Sequence, residues 1–213
     1  MKKENKKSLS LAVFFLLSFL LWTISVKFID VKQIGPNGSS VGFAAINRYV
    51  HEVYGVHFGL YNLTDWLGLV PIAFAMGFAV LGVVQWIKRK MLFKVDSSLF
   101  SLGVFYIFVI AAYMFFEKVV INYRPVLING FLEPSYPSST TLLVLCVMPT
   151  SIMQLNCRIK RKALRICVNT IIMAFVAFVV IARLISGVHW LSDIIGGLLL
   201  SCGLVLMYRC FIK

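Results

Sequence analysis

Six stretches of this chain carry no charge over lengths suited to crossing a bilayer, and short polar or basic segments separate them. They run over about residues 9–26, 66–86, 97–116, 138–154, 166–182 and 194–208. Most approach the roughly 20 apolar residues that a bilayer asks of a helix. The last has only fifteen residues, about 22 Å at 1.5 Å per residue, so its ends must snorkel or the bilayer must thin. The pattern predicts an all-α fold, a six-transmembrane-helix bundle forming one membrane domain over residues 1–213. The first run follows the basic start MKKENKK and resembles a signal peptide. It is long for such a segment and no small-residue cleavage site follows it, so it reads as a retained anchor.

One long connection, residues 29–65, separates the first two runs. It opens with the turn-rich IGPNGSS and continues as VGFAAINRYVHEVYG. Val41, Ala44, Ala45, Tyr49 and Val53 recur there near helical spacing, which predicts an amphipathic helix lying on the membrane surface.

Composition agrees with the pattern. The chain is 60% hydrophobic and 14% charged, against roughly half and a quarter in soluble domains. A net charge of +13 invites a nucleic-acid partner. The basic residues do not form one patch, however; they recur between the apolar runs, as orientation signals do, and exclude that reading. With the N-terminus taken as cytoplasmic, 15 of the 21 lysines and arginines fall inside. They are Lys2, Lys3, Lys6 and Lys7, then Lys88, Arg89, Lys90 and Lys94, then five between Arg158 and Arg165, and finally Arg209 and Lys213. Lys27, Lys32, Arg48, Lys118, Arg124 and Arg183 fall at the outer side. The expectation is a multi-pass protein of the cell membrane with both termini cytoplasmic. The five cysteines, Cys146, Cys157, Cys167, Cys202 and Cys210, read as buried small hydrophobes.

This topology places residues 117–137 and 183–193 at one face of the membrane. The first segment begins EKVVINYRPVLINGFLEPSYP, and the second reads RLISGVHWLSD. His189 and Asp193 are four apart, so on a helical turn they share a face. The carboxylate can then accept the proton of one imidazole nitrogen and leave the other lone pair free for covalent catalysis. Arg124 and Arg183 offer planar forks for phosphate oxygens. Ser138 and Ser139 open the fourth apolar run, where free helix N–H groups and hydroxyls favour an anion.

These residues resemble the motifs of the type 2 phosphatidic acid phosphatase superfamily, which also includes bacterial acid phosphatases and vanadium-dependent haloperoxidases. The family pattern is K-x6-R-P, P-S-G-H and S-R-x5-H-x3-D. The third motif is present as Arg183, His189 and Asp193 at that spacing, with Ala182 in place of its leading serine. In the first motif Arg124-Pro125 matches, but Glu117 stands at the lysine position and Lys118 comes one residue late. The second reads Pro137-Ser138-Ser139-Thr140, with threonine where the family has its histidine.

The resemblance implies an extracytoplasmic active site and a two-step hydrolysis of a lipid phosphate. His189 attacks phosphorus, Asp193 orients it, and Lys118, Arg124, Ser138, Ser139, Thr140 and Arg183 hold the phosphate. It requires no metal or other cofactor. The histidine missing at Thr140 is, in the family, the acid that protonates the leaving group. That acid is worth about 10²- to 10⁴-fold, chiefly where the leaving group is poor. An alkoxide leaves against a conjugate acid near that of water, about 15.7, whereas a phosphate monoester has a second pKa of about 6. A lipid diphosphate is therefore the expected substrate, with undecaprenyl diphosphate leading. Alternatives are a phosphatidic acid or phosphatidylglycerophosphate phosphatase, or a non-catalytic lipid-phosphate binding or transport protein. His51, His57 and Glu117 are candidates for a substitute acid.

Overall fold

The computed structural model describes residues 3–212; Lys2 and Lys213, two of the lysines expected on the cytoplasmic side, lie outside the described residues. The helices, in chain order, are α1 (Lys3–Phe28), α2 (Ala44–Tyr54), α3 (Phe58–Leu67), α4 (Leu69–Arg89), α5 (Ser97–Lys118), α6 (Ser139–Asn156), α7 (Lys162–Ile185) and α8 (Leu191–Phe211). A two-residue pairing of β1 (Lys32–Gln33) with antiparallel β2 (Ser40–Val41) folds the first connection back on itself. α3 and α4 run on as one apolar unit, Phe58–Arg89. With α1, α5, α6, α7 and α8 it makes six stretches long and apolar enough to cross a bilayer. The chain is an all-α, multi-pass membrane protein.

Spans run longer than expected, the first and fifth included, and two of the extensions bear on the site. The second begins at Phe58 rather than Trp66, so Tyr61, Thr64 and Asp65 lie on a helix. The sixth has 21 residues, about 31 Å at the α-helical rise, so the bilayer need not thin. In both, a charge at the end of an apolar run marks a helical residue, not the helix's edge.

α6 is the central helix and packs against α4, α5, α7 and α8. Its buried side chains include Leu142, Val144, Val147 and Met148. Val144 and Met148 meet Ile172, Val176 and Val179 of α7, while Leu142 and Cys146 meet Leu102 and Phe105 of α5 and Leu200 of α8. α1 lies along α8, and there is no space between them for a side chain at Gly203: a Cβ would sit 2.7 Å from Leu16. Such close approach is how helices gain contact where lipid tails are as apolar as leucine. Only Cys146 among the cysteines is buried; Cys157 and Cys167 are exposed and Cys202 and Cys210 are half-buried, against the expectation. Small side chains on the bundle's outside need no core to be stable in lipid.

A polar network ties one end of the bundle. Gln154 Nε2 donates to Tyr208 Oη at 2.7 Å and Arg158 Nη1 donates to Gln154 Oε1 at 2.6 Å. Asp96 accepts from Gln85 and Arg89 at 2.8 and 2.9 Å. At the other end, connections 29–57, 119–138 and 186–190 converge. There α2 docks through Asn47 as well as Ala44, while Tyr49 and Val53 of the expected apolar face are exposed.

The turn at 186–190 is clamped by the segment before α3. His57 N donates to Ser186 O at 2.9 Å. Gly187 has φ +68°, and a Cβ on it would lie 1.9 Å from Gly55 O, a backbone atom that cannot swing aside. Left-handed backbone and steric overlap both oppose a side chain here. Gly187→Ala is therefore expected to cost about 2 kcal/mol or more, seen as a Tm several degrees lower for the protein purified in detergent; an unchanged Tm contradicts this packing.

Candidate active site

The connection between α5 and α6 is a hairpin-like loop. Arg124 N donates to Glu133 O and Ser135 N to Asn122 O, each at 3.0 Å, with a tight turn at Ile128–Phe131. It presents Asn122 and Arg124 to the turn that carries His189. Trp190 Nε1 anchors that turn by donating to Tyr123 O at 2.8 Å.

His189 is almost fully buried, and Arg124 Nη1 lies 3.4 Å from its Nε2. A guanidinium can only donate, so Nε2 is the acceptor and Nδ1 carries the proton. Burial, followed by the Arg124 and Arg183 charges, pushes the His189 pKa well below the ordinary imidazole value. These three disfavour a second proton and outweigh the Ser135 backbone, which favours it. The imidazole is therefore neutral, with a lone pair facing the same region as a fixed cation.

Asp193 sits behind it with no exposed surface. Its Oδ2 is 3.8 Å from His189 Nδ1, beyond a hydrogen bond, and Nδ1 has no hydrogen-bond partner. Four-residue spacing on a helical turn predicts closer approach. His189, however, precedes α8, which starts between the two residues, and Asp193 serves that start. Its Oδ2 accepts from Trp190 N at 2.9 Å, and its Oδ1 from Asn122 Nδ2 at 3.2 Å and Ser192 Oγ at 3.4 Å. Asn47 extends the set: its Nδ2 donates to Ser192 Oγ at 2.9 Å and its Oδ1 accepts from Ser192 N at 3.1 Å. The carboxylate is fixed from three segments, and the imidazole is a close neighbour that makes no hydrogen bond to it.

The two arginines approach one aromatic ring. Arg124 Cζ lies 5.8 Å and Arg183 Cζ 4.7 Å from the centre of Tyr61. Arg183, 1% exposed, donates from Nη1 to Thr64 Oγ1 at 3.0 Å, and its Nη2 is 3.6 Å from Asp65 Oδ1. Arg124 Nε is 3.1 Å from Glu133 Oε2. Each buried guanidinium thus faces a carboxylate that is itself partly exposed, and Nε of neither arginine has a hydrogen-bond partner.

The remaining predicted residues fall into different places. Ser139 shares a small cleft with His189, Glu117, Tyr113 and Ser135. Thr140 and Ser139 line an adjoining groove of about 320 Å³ with Asp65, Tyr113, Leu69, Ile72, Val109 and Leu143. Ser138 is fully buried and structural: its N donates to Asp193 O at 3.1 Å and its Oγ accepts from Thr141 at 3.0 Å. Lys118 is exposed in the last turn of α5 and lines neither cavity, whereas Glu117 lines the His189 cleft. One residue is about 100° around a helix, which turns the late lysine away. His51 is half-buried against Trp190 with ring centres 5.4 Å apart, and burial lowers its pKa. His57 is exposed, with Nε2 2.8 Å from Tyr54 O. Neither lines the two cavities. Asn47, Tyr61, Thr64, Asp65, Asn122 and Ser192 do not stand out in the sequence, because each is an ordinary polar residue with no motif spacing around it. Among the described residues, no group of three His, Cys, Asp or Glu side chains is gathered as a metal site.

Comparison with known proteins bears on this end of the molecule. Residues 115–213, which include every predicted site residue, match the family model of the PAP2 superfamily. A search of curated protein sequences finds no match. Among solved structures, the chain is similar to the crystal structure of a transmembrane PAP2-type phosphatidylglycerolphosphate phosphatase from Bacillus subtilis, with a TM-score of 0.57 and 17% identity over 93% of this chain and 94% of that one. Likeness at that identity concerns the fold, and the fold is the same multi-pass bundle. The segment that carries the candidate site, residues 115–213, is thus the part of the chain that is similar to the PAP2 superfamily.

Proposed function

We propose that this protein is a membrane lipid phosphatase that releases phosphate from a lipid diphosphate, undecaprenyl diphosphate first, through a phosphohistidine on His189. The observation that carries the reading is Arg124 Nη1 held 3.4 Å from the Nε2 of a buried, neutral His189. A phosphoryl oxygen entering between them takes over the guanidinium and exposes the lone pair to phosphorus. As the Nε2–P bond forms, positive charge develops on the ring. Nδ1–H can then close the 3.8 Å gap to Asp193, whose charge is already in place. Arg183, Arg124 and the start of α6 at Ser139 hold the remaining oxygens. The family role of Thr140 is vacant, since an unactivated hydroxyl is no acid at neutral pH, and this favours a leaving group that departs without a proton. A phosphate does so and an alkoxide does not. The adjoining groove has apolar walls suited to a lipid chain.

A second reading, phosphatidylglycerophosphate as substrate, is favoured by the activity named for the structural neighbour. In that case the vacant acid position has to be filled by another donor. The basic connections at one end of the bundle favour a cytoplasmic position for that end and an outer-leaflet position for the site. There the spent diphosphate carrier of a bacterial membrane is exposed.

Phosphate release from matched mono- and diphosphate lipids, with chelator present throughout, tests substrate and metal independence together. The diphosphate is expected to be turned over at least about ten times faster, and His189→Ala to lose about 10³-fold or more. Preference for the monophosphate rejects the leaving-group reasoning, and equal rates for His189→Ala reject the nucleophile. Saturable lipid binding without turnover by the wild type would instead favour a binding protein.

The pH profile follows from the lowered His189 pKa. Above the ordinary imidazole value of 6.5, His189 is neutral folded or unfolded; below it, the unfolded chain takes up a proton first, so stability falls with falling pH. Turnover of the folded enzyme is expected to show no acid limb centred near 6.5, and His189→Gln to flatten the stability loss below that pH. An acid limb at 6.5 in the wild type, or the same stability loss in both proteins, contradicts a buried neutral imidazole.

Topology is checked by labelling a single cysteine placed at the exposed, loop-borne Phe131 in a chain whose own cysteines are replaced. An impermeant thiol reagent added to intact cells is expected to modify it. Protection at 131 together with labelling of a cysteine at Phe93 would invert the orientation.

A further inference from the structure

Resting on the phosphohistidine reading, we propose that Asp65 is the base that activates water to hydrolyse the phosphohistidine, in the groove that Thr140 also lines. The vacancy at Thr140 removes a group with two tasks, since by microscopic reversibility an acid that gives a proton to the leaving group also takes one from the incoming water. A diphosphate substrate dispenses with the first task. It does not dispense with the second, because the phosphoenzyme is the same whatever has left.

The groove has an apolar wall and a polar end. Leu69, Ile72, Val109 and Leu143 line the wall, and Asp65, Tyr113, Ser139 and Thr140 provide the polar groups. Ser139, Tyr113 and Leu142 line both this groove and the His189 cleft, so the two cavities adjoin. Asp65 is the carboxylate of that end. Its side chain is 61% exposed, and Arg183 Nη2 stands 3.6 Å from one oxygen, which fixes its direction without sealing it in a short pair. Arg183 is held in turn by Thr64, one residue before Asp65, at 3.0 Å. α3 therefore delivers the base and the support of a clamp arginine on one turn of helix. Of the other carboxylates near the reaction, Glu117 lines the His189 cleft and not this groove, and Glu133 and Asp193 line neither.

The step balances without a further reagent. A water in the groove attacks phosphorus opposite His189. Its oxygen forms the new P–O bond, its proton passes to an Asp65 oxygen, and the Nε2–P bond breaks with its electron pair returning to the ring. The imidazole is restored neutral with its proton on Nδ1, inorganic phosphate departs, and Asp65 passes the proton to bulk water at its exposed side.

The test separates the two chemical steps. Wild type, Asp65→Asn, Asp65→Glu and His189→Ala, purified in detergent, are mixed with a short prenyl diphosphate labelled in its terminal phosphate and quenched during turnover. Asp65→Asn is expected to release one equivalent of prenyl monophosphate in a burst, then turn over about 10²-fold more slowly, with most of the enzyme carrying acid-labile, base-stable label. Asp65→Glu is expected to restore part of the rate and lose the label, which a purely structural role for this exposed residue would not produce. Asp65→Ser serves as a second neutral variant should the amide express poorly. Wild-type turnover in the neutral variants, or slow turnover with no trapped label while Asp65→Glu is equally slow, overturns the proposal and leaves the phosphohistidine reading standing. Label present in His189→Ala, or wild-type turnover by His189→Ala, overturns both.

Discussion

A carboxylate sealed from water inside a membrane protein must have every oxygen lone pair answered, and Asp193 sets this demand at the first turn of α8. The answers come from the Trp190 amide, the Asn122 side chain and the Ser192 hydroxyl. Asn47 holds Ser192 by backbone and side chain alike. Removing any one leaves buried charge uncompensated, which costs more than the hydrogen bond was worth. The convergence of α2, the α5–α6 loop and the α7–α8 turn at one end is thus the physical condition for having this charge at all. A charge without exposed surface also cannot be reached by water. It acts on the one neighbour left unpaired, the Nδ1 proton of His189.

The same constraint keeps the imidazole unprotonated. Arg124 and Arg183 raise the potential at the ring while burial removes the water that would stabilise a charged form. With the proton fixed at Nδ1, the lone pair lies on the Arg124 side. Positive charge stored in two guanidiniums, and negative charge stored in a fixed carboxylate, bracket a neutral group whose charge changes only during a reaction. Such prearranged fields require no rearrangement when charge develops.

Much of the bundle is legible in the sequence because a bilayer imposes a length and a polarity on each span, and six runs meet the polarity and most of them the length. The spacing of Arg183, His189 and Asp193 marks the candidate site for the same reason: three ionisable groups in an apolar region demand partners. The partners themselves are not legible. Asn47, Asn122 and Ser192 come from three segments, and nothing in the local pattern distinguishes an asparagine that satisfies a buried charge from one in a surface turn. Asp65 is hidden by a different effect: a charge bordering an apolar run reads as the end of the span, whereas the helix continues two turns beyond it to Phe58. Helical spacing misreads the His189–Asp193 pair because the helix begins between them. Lys118, one residue late in the motif, is carried off the face that Glu117 presents and lines neither cavity.

Arg183 is poorly provided for in this arrangement. It is 1% exposed, its Nε has no partner, and its counter-charge, Asp65, stands 3.6 Å off and 61% exposed. A buried guanidinium with five donors is costly unless most are met. Here Thr64 Oγ1, Tyr61 O and the Tyr61 ring meet only part of the need. Arg124 is no better served: its Nε lies 3.1 Å from the partly exposed Glu133 without a hydrogen bond, and one nitrogen turns to the imidazole. Folding energy is thus held in an unmet demand for an anion beside the one neutral nucleophile of the site. Hydroxyls or apolar side chains would serve stability better at both positions. On the lipid-phosphate reading the deficit has a use: a tetrahedral dianion brings the oxygens that the protein withholds, and the binding energy is released within reach of His189 Nε2.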